Sequence, residues 1–171
     1  MYDPTIFENL KVAFENQIYD LDNLTGEIKI TNRVDRLELA VLSREFVLQF
    51  VLADQKEVTA EIVLEASLKD LAAEILEVSG ETPGCDLFVR FHKQVVDVPS
   101  QCNEIKDVLE DIWEQDLPPT QTLSFVYGQE QNTYTDTIEI TFNRKINEDQ
   151  MEDIPDLIEH VIESLVELNR I

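Results

Sequence analysis

The sequence predicts an α+β fold made of two β-α-β-β-α units, residues 1–84 and 85–171, joined in one antiparallel sheet with helices packed on it about an approximate two-fold axis. Three observations lead there: similarity between the halves, short runs of apolar alternation, and segments with apolar spacing of three and four. Aligning residues 10–29 with 87–106, an offset of 77, gives 8 identities in 20 ungapped positions, among them Leu10, Val12, Phe14, Gln17 and Asp20 with Leu87, Val89, Phe91, Gln94 and Asp97. At an offset of 78, Thr59, Glu61 and Ile62 meet Thr137, Glu139 and Ile140, and at 86 Asp70-Leu71 meets Asp156-Leu157. Offsets that grow steadily along a chain are those of a duplication with small insertions.

The first strand of each unit is read from Leu10, Val12, Phe14 and Ile18 and from Leu87, Val89, Phe91 and Val95, with the period of two of a half-buried strand. Phe7, Leu10, Phe14 and Ile18 also fit a helix started by Asp3-Pro4, but the second copy offers no such option, so a strand is expected at 10–18. Pro99-Ser100 then opens a helix carrying Ile105, Val108, Leu109, Ile112 and Trp113 and ending at Leu117-Pro118-Pro119. Its counterpart near Val34, Leu37 and Val41 reads as helix or strand equally well. Hairpins follow at 46–52 with 58–64 and at 123–127 with 134–142, the second turning through Gly128 to Asn132. Each unit closes with a helix: Ser67 caps Leu68, Leu71, Ala72, Ile75 and Leu76, with Gly80 as the stop, and Asn147 with Gln150 caps Ile154, Leu157, Ile158, Val161, Ile162, Leu165 and Leu168. Trp113, Phe14, Phe50, Phe91, Phe125 and Phe142 are expected in the core.

Charge is the second strong signal. Of 171 residues, 36 are Asp or Glu and 13 Lys or Arg, a net charge of −23. At neutral pH such a chain repels nucleic acid and anionic membrane surfaces, so neither is expected as a direct partner. Residues 103–116 carry a net −5 and residues 146–171 a net −7, about half the total on two helices. Acids early in the last helix suit its dipole, but Glu163 and Glu167 near its C-terminal end oppose it. That cost points to a face with a use: Glu152, Asp153, Asp156, Glu159, Glu163 and Glu167 are the candidate contacts for a protein partner with a basic surface.

Chemistry-bearing motifs are scarce. There is no phosphate loop, nucleophile elbow, zinc-protease motif or calcium loop, and only four glycines. His92 and His160 match Glu15 and Glu74 across the repeat, as exposed positions would, and Asp156 with His160 is one i,i+4 pair, too little for a metal. No cofactor or metal is expected. Cys85 and Cys102 read as reduced thiols, and Met1-Tyr2-Asp3-Pro4 lacks the basic and apolar regions of a signal peptide, so a soluble cytoplasmic protein is expected.

The layout of repeated strand-helix-strand-strand modules resembles bacterial effector-binding domains of the gyrase-inhibitor type. That resemblance implies a groove between the repeats for a small hydrophobic or cationic ligand, but the family's Gly- and Pro-containing motifs are absent and no residue is carried over. In size and acidity the chain also resembles α+β secretion chaperones, a likeness that a helical N-terminal segment would strengthen. The expected function is therefore a non-enzymatic interaction module, an adaptor, chaperone or inhibitor of a basic partner. A groove-binding ligand sensor, a nucleic-acid mimic and an enzyme of unrecognised type are the alternatives.

Overall fold

The computed structural model describes residues 5–113, 118–129 and 132–171. Its first element corrects the sequence reading. Residues 10–18, expected as a strand, lie in helix α1 (Ile6–Asp20), started by the Thr5 hydroxyl accepting from the Glu8 amide. The helix buries Phe7, Leu10, Phe14 and Ile18 on one stripe, whereas a strand facing the core through Leu10 and Phe14 would also have buried Val12, which α1 leaves exposed. The helical face also takes in Phe7, whereas strand alternation through 10–18 would have turned the polar Asn16 toward the core. A π-helical turn, Leu21–Thr25, follows and ends at Gly26, whose positive φ of 70° suits glycine.

Strands β1 (Ile28–Glu38), β2 (Ser43–Leu52) and β3 (Thr59–Ala66) then run as a meander, which makes the ambiguous segment around Val34 to Val41 strand and turn. Helix α2 (Leu68–Ile75), strand β4 (Asp86–Val95), helix α3 (Val98–Trp113), strands β5 (Thr120–Ser124) and β6 (Tyr134–Thr141), a 3-10 turn (Glu148–Asp153) and helix α4 (Ile154–Arg170) complete the chain. The sheet is antiparallel throughout in the order β1-β2-β3-β4-β6-β5, and the β3–β4 pairing carries it across the 84/85 division. The second half thus has the order β-α-β-β-α, while the first has α-β-β-β-α. The offset-77 match therefore aligns helix α1 with strand β4, and the layout likeness to duplicated effector-binding modules does not extend to the first half. Asp3-Pro4, the helix start of the rival reading, the expected stop at Leu117 and part of the β5–β6 turn lie outside the described residues.

The core lies on one face of the sheet. Phe46, Leu48, Phe50 and Leu52 of β2, Ile62 and Leu64 of β3, Val89 and Phe91 of β4, and Ile138 and Ile140 of β6 meet the buried stripes of α1, α3 and α4. Each such side chain contributes about 1.5–3 kcal/mol by leaving water. Trp113 joins this core, its indole Nε1–H donating to Ser164 Oγ at 2.9 Å, so α3 is pinned to α4 by a satisfied polar contact. Phe125 does not: it lies beyond the end of β5, largely exposed, with its ring edge-on to Tyr134. Gly84 permits a close approach, since a methyl there would come 2.7 Å from the Ile146 carbonyl, and beside it Cys85 and Ile146 exchange two backbone hydrogen bonds.

Candidate functional site: the outer face of the helical layer

Helix α4 lies between α1 and α3 and touches both. Its register is set by Ile154, Ile158, Val161, Leu165 and Leu168, all buried, so the intervening positions must face outward. Asp156, Glu159 and Glu163 occupy those exposed positions, and Glu152 and Asp153 lie exposed on the 3-10 turn that leads into the helix. Glu167 is half-buried and differs from the other five in having a cation, Arg170, one turn on. On α3, Glu104, Asp107, Glu110 and Asp111 are exposed, with Lys106 reaching only Glu110 at 3.8 Å. Glu114 and Asp116 fall outside the described residues.

Acids on the neighbouring side of the molecule are arranged differently. Lys11 bridges Glu8 at 3.0 Å and Asp35 at 2.9 Å, Arg44 holds the same two carboxylates at 2.6 and 3.0 Å, and Arg33 takes Glu15. Partial burial pushes the Glu8 and Asp35 carboxyls up, but the hydrogen bonds from Lys11 and Arg44 outweigh it and hold both below the ordinary carboxylate range. Those acids are tied into the fold. Among the described residues, the candidates on α4 and its leading turn, apart from Glu167, have no cation within salt-bridge distance.

Beside the α4 acids runs an open trough. Leu21, Pro155, Ile158 and Ile162 make its apolar part, and Asp20, Glu27 and Glu159 its rim, enclosing about 480 Å³. A second hollow of about 550 Å³ shares Glu27 and Ile162 and continues past Val166 to Asp54 and Arg170. An apolar floor with a carboxylate rim suits a side chain that is aliphatic along its length and cationic at its end. The junction between the halves offers less room: the cavity there, lined by Phe14, Leu87, Phe142, Arg144 and Asp153 among others, holds about 180 Å³, below the roughly 300 Å³ at which ligand pockets begin.

Two polar groupings escaped the sequence. The first crosses the face of the sheet opposite the core. Thr31 Oγ1 donates to Gln49, Gln49 Nε2 to Glu61, His92 Nε2 lies 3.3 Å from Glu61, and His92 Nδ1 meets Thr137 Oγ1 at 3.4 Å, a row spanning five strands. His92 is half-buried in this row and is no freely exposed position. Its hydrogen bond to Glu61 holds that carboxyl below the ordinary range, more than offsetting burial. Arg90 sits alongside between Glu61 and Glu139 at 3.6 and 3.8 Å. Only the strand register brings these residues together, and register is not readable from one strand at a time.

The second grouping lies beneath α3. Asp136 of β6 has no accessible surface, faces Lys93 of β4 across the ladder, and takes only a long 3.9 Å contact from Cys102 Sγ. Gln121 donates to the Cys102 carbonyl at 2.8 Å, and the Gln121 Oε1 and Asp136 Oδ1 atoms are buried with no hydrogen-bond partner among the described residues. Burial pushes the Asp136 carboxyl up to about 6. Being closed off under the helix, it is not presented to a substrate in this conformation.

His160, the remaining histidine, tilts against the Trp113 ring, with Nδ1 2.6 Å from the Asp156 carbonyl oxygen, so its ring is engaged by the backbone and not paired with the Asp156 carboxylate. No group of three or more His, Cys, Asp or Glu among the described residues has metal-holding geometry, and no described helix is long and apolar enough to cross a membrane. Compared with family models, curated proteins and solved structures, the chain matches none of them.

Proposed function

We propose that this protein is a non-enzymatic, cytoplasmic interaction module, an adaptor, chaperone or inhibitor, that captures a basic protein segment on the outer face of α4 and its flanking elements. The observation that carries the reading is the split in how acids are used. Glu8, Asp35 and Glu15 are each matched by Lys or Arg, whereas Glu152, Asp153, Asp156, Glu159 and Glu163 are exposed on α4 and its leading turn with no cation within salt-bridge distance among the described residues. Like charges held that close cost stability, and the cost is recovered when a cationic partner arrives. The trough along α4 supplies what charge alone lacks, an apolar floor between Asp20, Glu27 and Glu159 that favours an amphipathic basic segment over a merely cationic one.

The test compares two triple reversals of equal charge. Glu159→Lys, Glu163→Lys and Glu167→Lys together should abolish salt-sensitive capture of a basic protein from extract. Glu104→Lys, Asp107→Lys and Glu110→Lys on α3 should weaken it only modestly, with both proteins still folded by circular dichroism. Equal loss from the two sets would reduce the effect to net charge and defeat the assignment to α4.

A further inference from the structure

We infer that the groove between helix α2 and the β1–β2 hairpin is a self-association surface, occupied by α2 of a second copy of this chain. The sequence gives α2 an apolar stripe, but the structure does not turn that stripe inward: α2 buries only Asp70 and Ala73, while Ile75 is 65% and Leu76 71% exposed. Facing them, the hairpin contributes Leu37 and Leu42 to the groove wall and Leu39, 73% exposed, to its tip. The groove between the two elements encloses about 480 Å³, with Leu68 and Leu71 also in its lining.

Exposure, charge and shape together specify the occupant. The groove's lining leaves five large aliphatic side chains, Leu37, Leu42, Leu68, Ile75 and Leu76, 44–71% exposed on one surface, a contiguous apolar patch of the kind that marks a protein contact. A chain of net charge −23 repels its own copies over most of its surface, yet no acidic residue lines this groove, and its one charged lining residue, Arg44, is paired with Glu8 and Asp35. Two copies can meet there with little electrostatic penalty, whereas a basic partner would find less to bind than on α4. The patch is also self-complementary in kind, since it offers both a ridge, Ile75 and Leu76, and a groove to receive one, as an isologous two-fold contact requires.

The experiment is sedimentation equilibrium of the full chain from about 1 to 100 µM, a range that detects micromolar association. A monomer–dimer equilibrium is expected, with Leu76→Glu weakening the dimer by about 30-fold or more, as at an interface hot spot. Leu37→Glu should do the same from the other wall. Leu24→Glu, at an equally exposed leucine on the π-helical turn outside the groove, should leave association unchanged. All three side chains are exposed in the monomer, so the fold should tolerate each change. A monomer at every concentration, or equal weakening by Leu24→Glu and Leu76→Glu, would overturn the inference.

Discussion

Helices α2 and α4 carry nearly the same instructions and come to different ends. Each follows the last strand of its half, Ser67 with Asp70 forms a capping box at the start of α2, and Asn147 with Gln150 forms one at the 3-10 turn before α4. Each has an apolar stripe at helical spacing. In α4 that stripe closes the core, with Val161, Leu165 and Leu168 without accessible surface, while in α2 it points to solvent. Amphipathic spacing says that a face needs covering and leaves open what covers it. In this protein the sheet covers one such helix, and a second copy is inferred to cover the other.

The sharpest way to break the comparison is to truncate one leucine in each helix. Leu165→Ala should cost about 2–5 kcal/mol, the range for a core leucine, and Leu76→Ala no more than about 0.5 kcal/mol in dilute solution, both read from urea unfolding. Similar losses would mean that α2 is packed as α4 is.

Buried acids extend the contrast. Asp70 of α2 accepts from the Ser67 amide and hydroxyl at 2.9 and 2.8 Å and pairs with Lys145. Burial would raise its carboxyl, but these partners hold it below the ordinary range. Asp136, lacking comparable partners, is raised to about 6 from 3.8. A raised carboxyl binds its proton more tightly in the native state than in the unfolded one, so it subtracts stability above about pH 6, and the penalty fades as pH falls toward 4. Asp136→Asn should therefore stabilise the protein by about 1–3 kcal/mol at pH 7.5 and by little below pH 4, measured as melting temperature against pH. For Asp70 the sign reverses: its contribution is present above its unfolded value and disappears as pH falls through its depressed native value. Asp70→Asn should accordingly destabilise at pH 7.5 and converge on the wild type in acid.

Removing the caps gives a smaller effect. Ser67→Ala and Asn147→Ala should each cost about 1 kcal/mol. The short α2 should fray, visible as faster amide exchange over 68–75, whereas α4, held by its core stripe, should stay protected. Smallest of all is the change in fold stability from Glu163→Gln, within about 0.5 kcal/mol and favourable in sign, because it removes the like-charge pair with Glu159 one turn earlier on α4. A loss above 1 kcal/mol would give Glu163 a structural partner and remove it from the binding surface.

Much of the architecture could be read from residue spacing, because strands β2, β3 and β6 and helices α3 and α4 each carry one dominant period. Residues 10–18 could not, since Leu10, Phe14 and Ile18 satisfy helical spacing while Leu10, Val12 and Phe14 satisfy strand spacing, and the apparent repeat favoured the strand. Exposure of Val12 and capping by Thr5 decide for the helix. The acidic face of α4 was legible because burial of its apolar stripe leaves the acids only one direction to point. The Glu61–His92 row, the orphaned Asp136 and the outward stripe of α2 were not, as each depends on which strand lies beside which, or on which helix reaches the sheet first.

Hydrogen–deuterium exchange at two protein concentrations tests the contrast between the two helices most directly. Amides of α2 and the β1–β2 hairpin should exchange more slowly at high concentration than at low, while those of α4 exchange alike at both. Exchange in α2 that is independent of concentration would contradict the account.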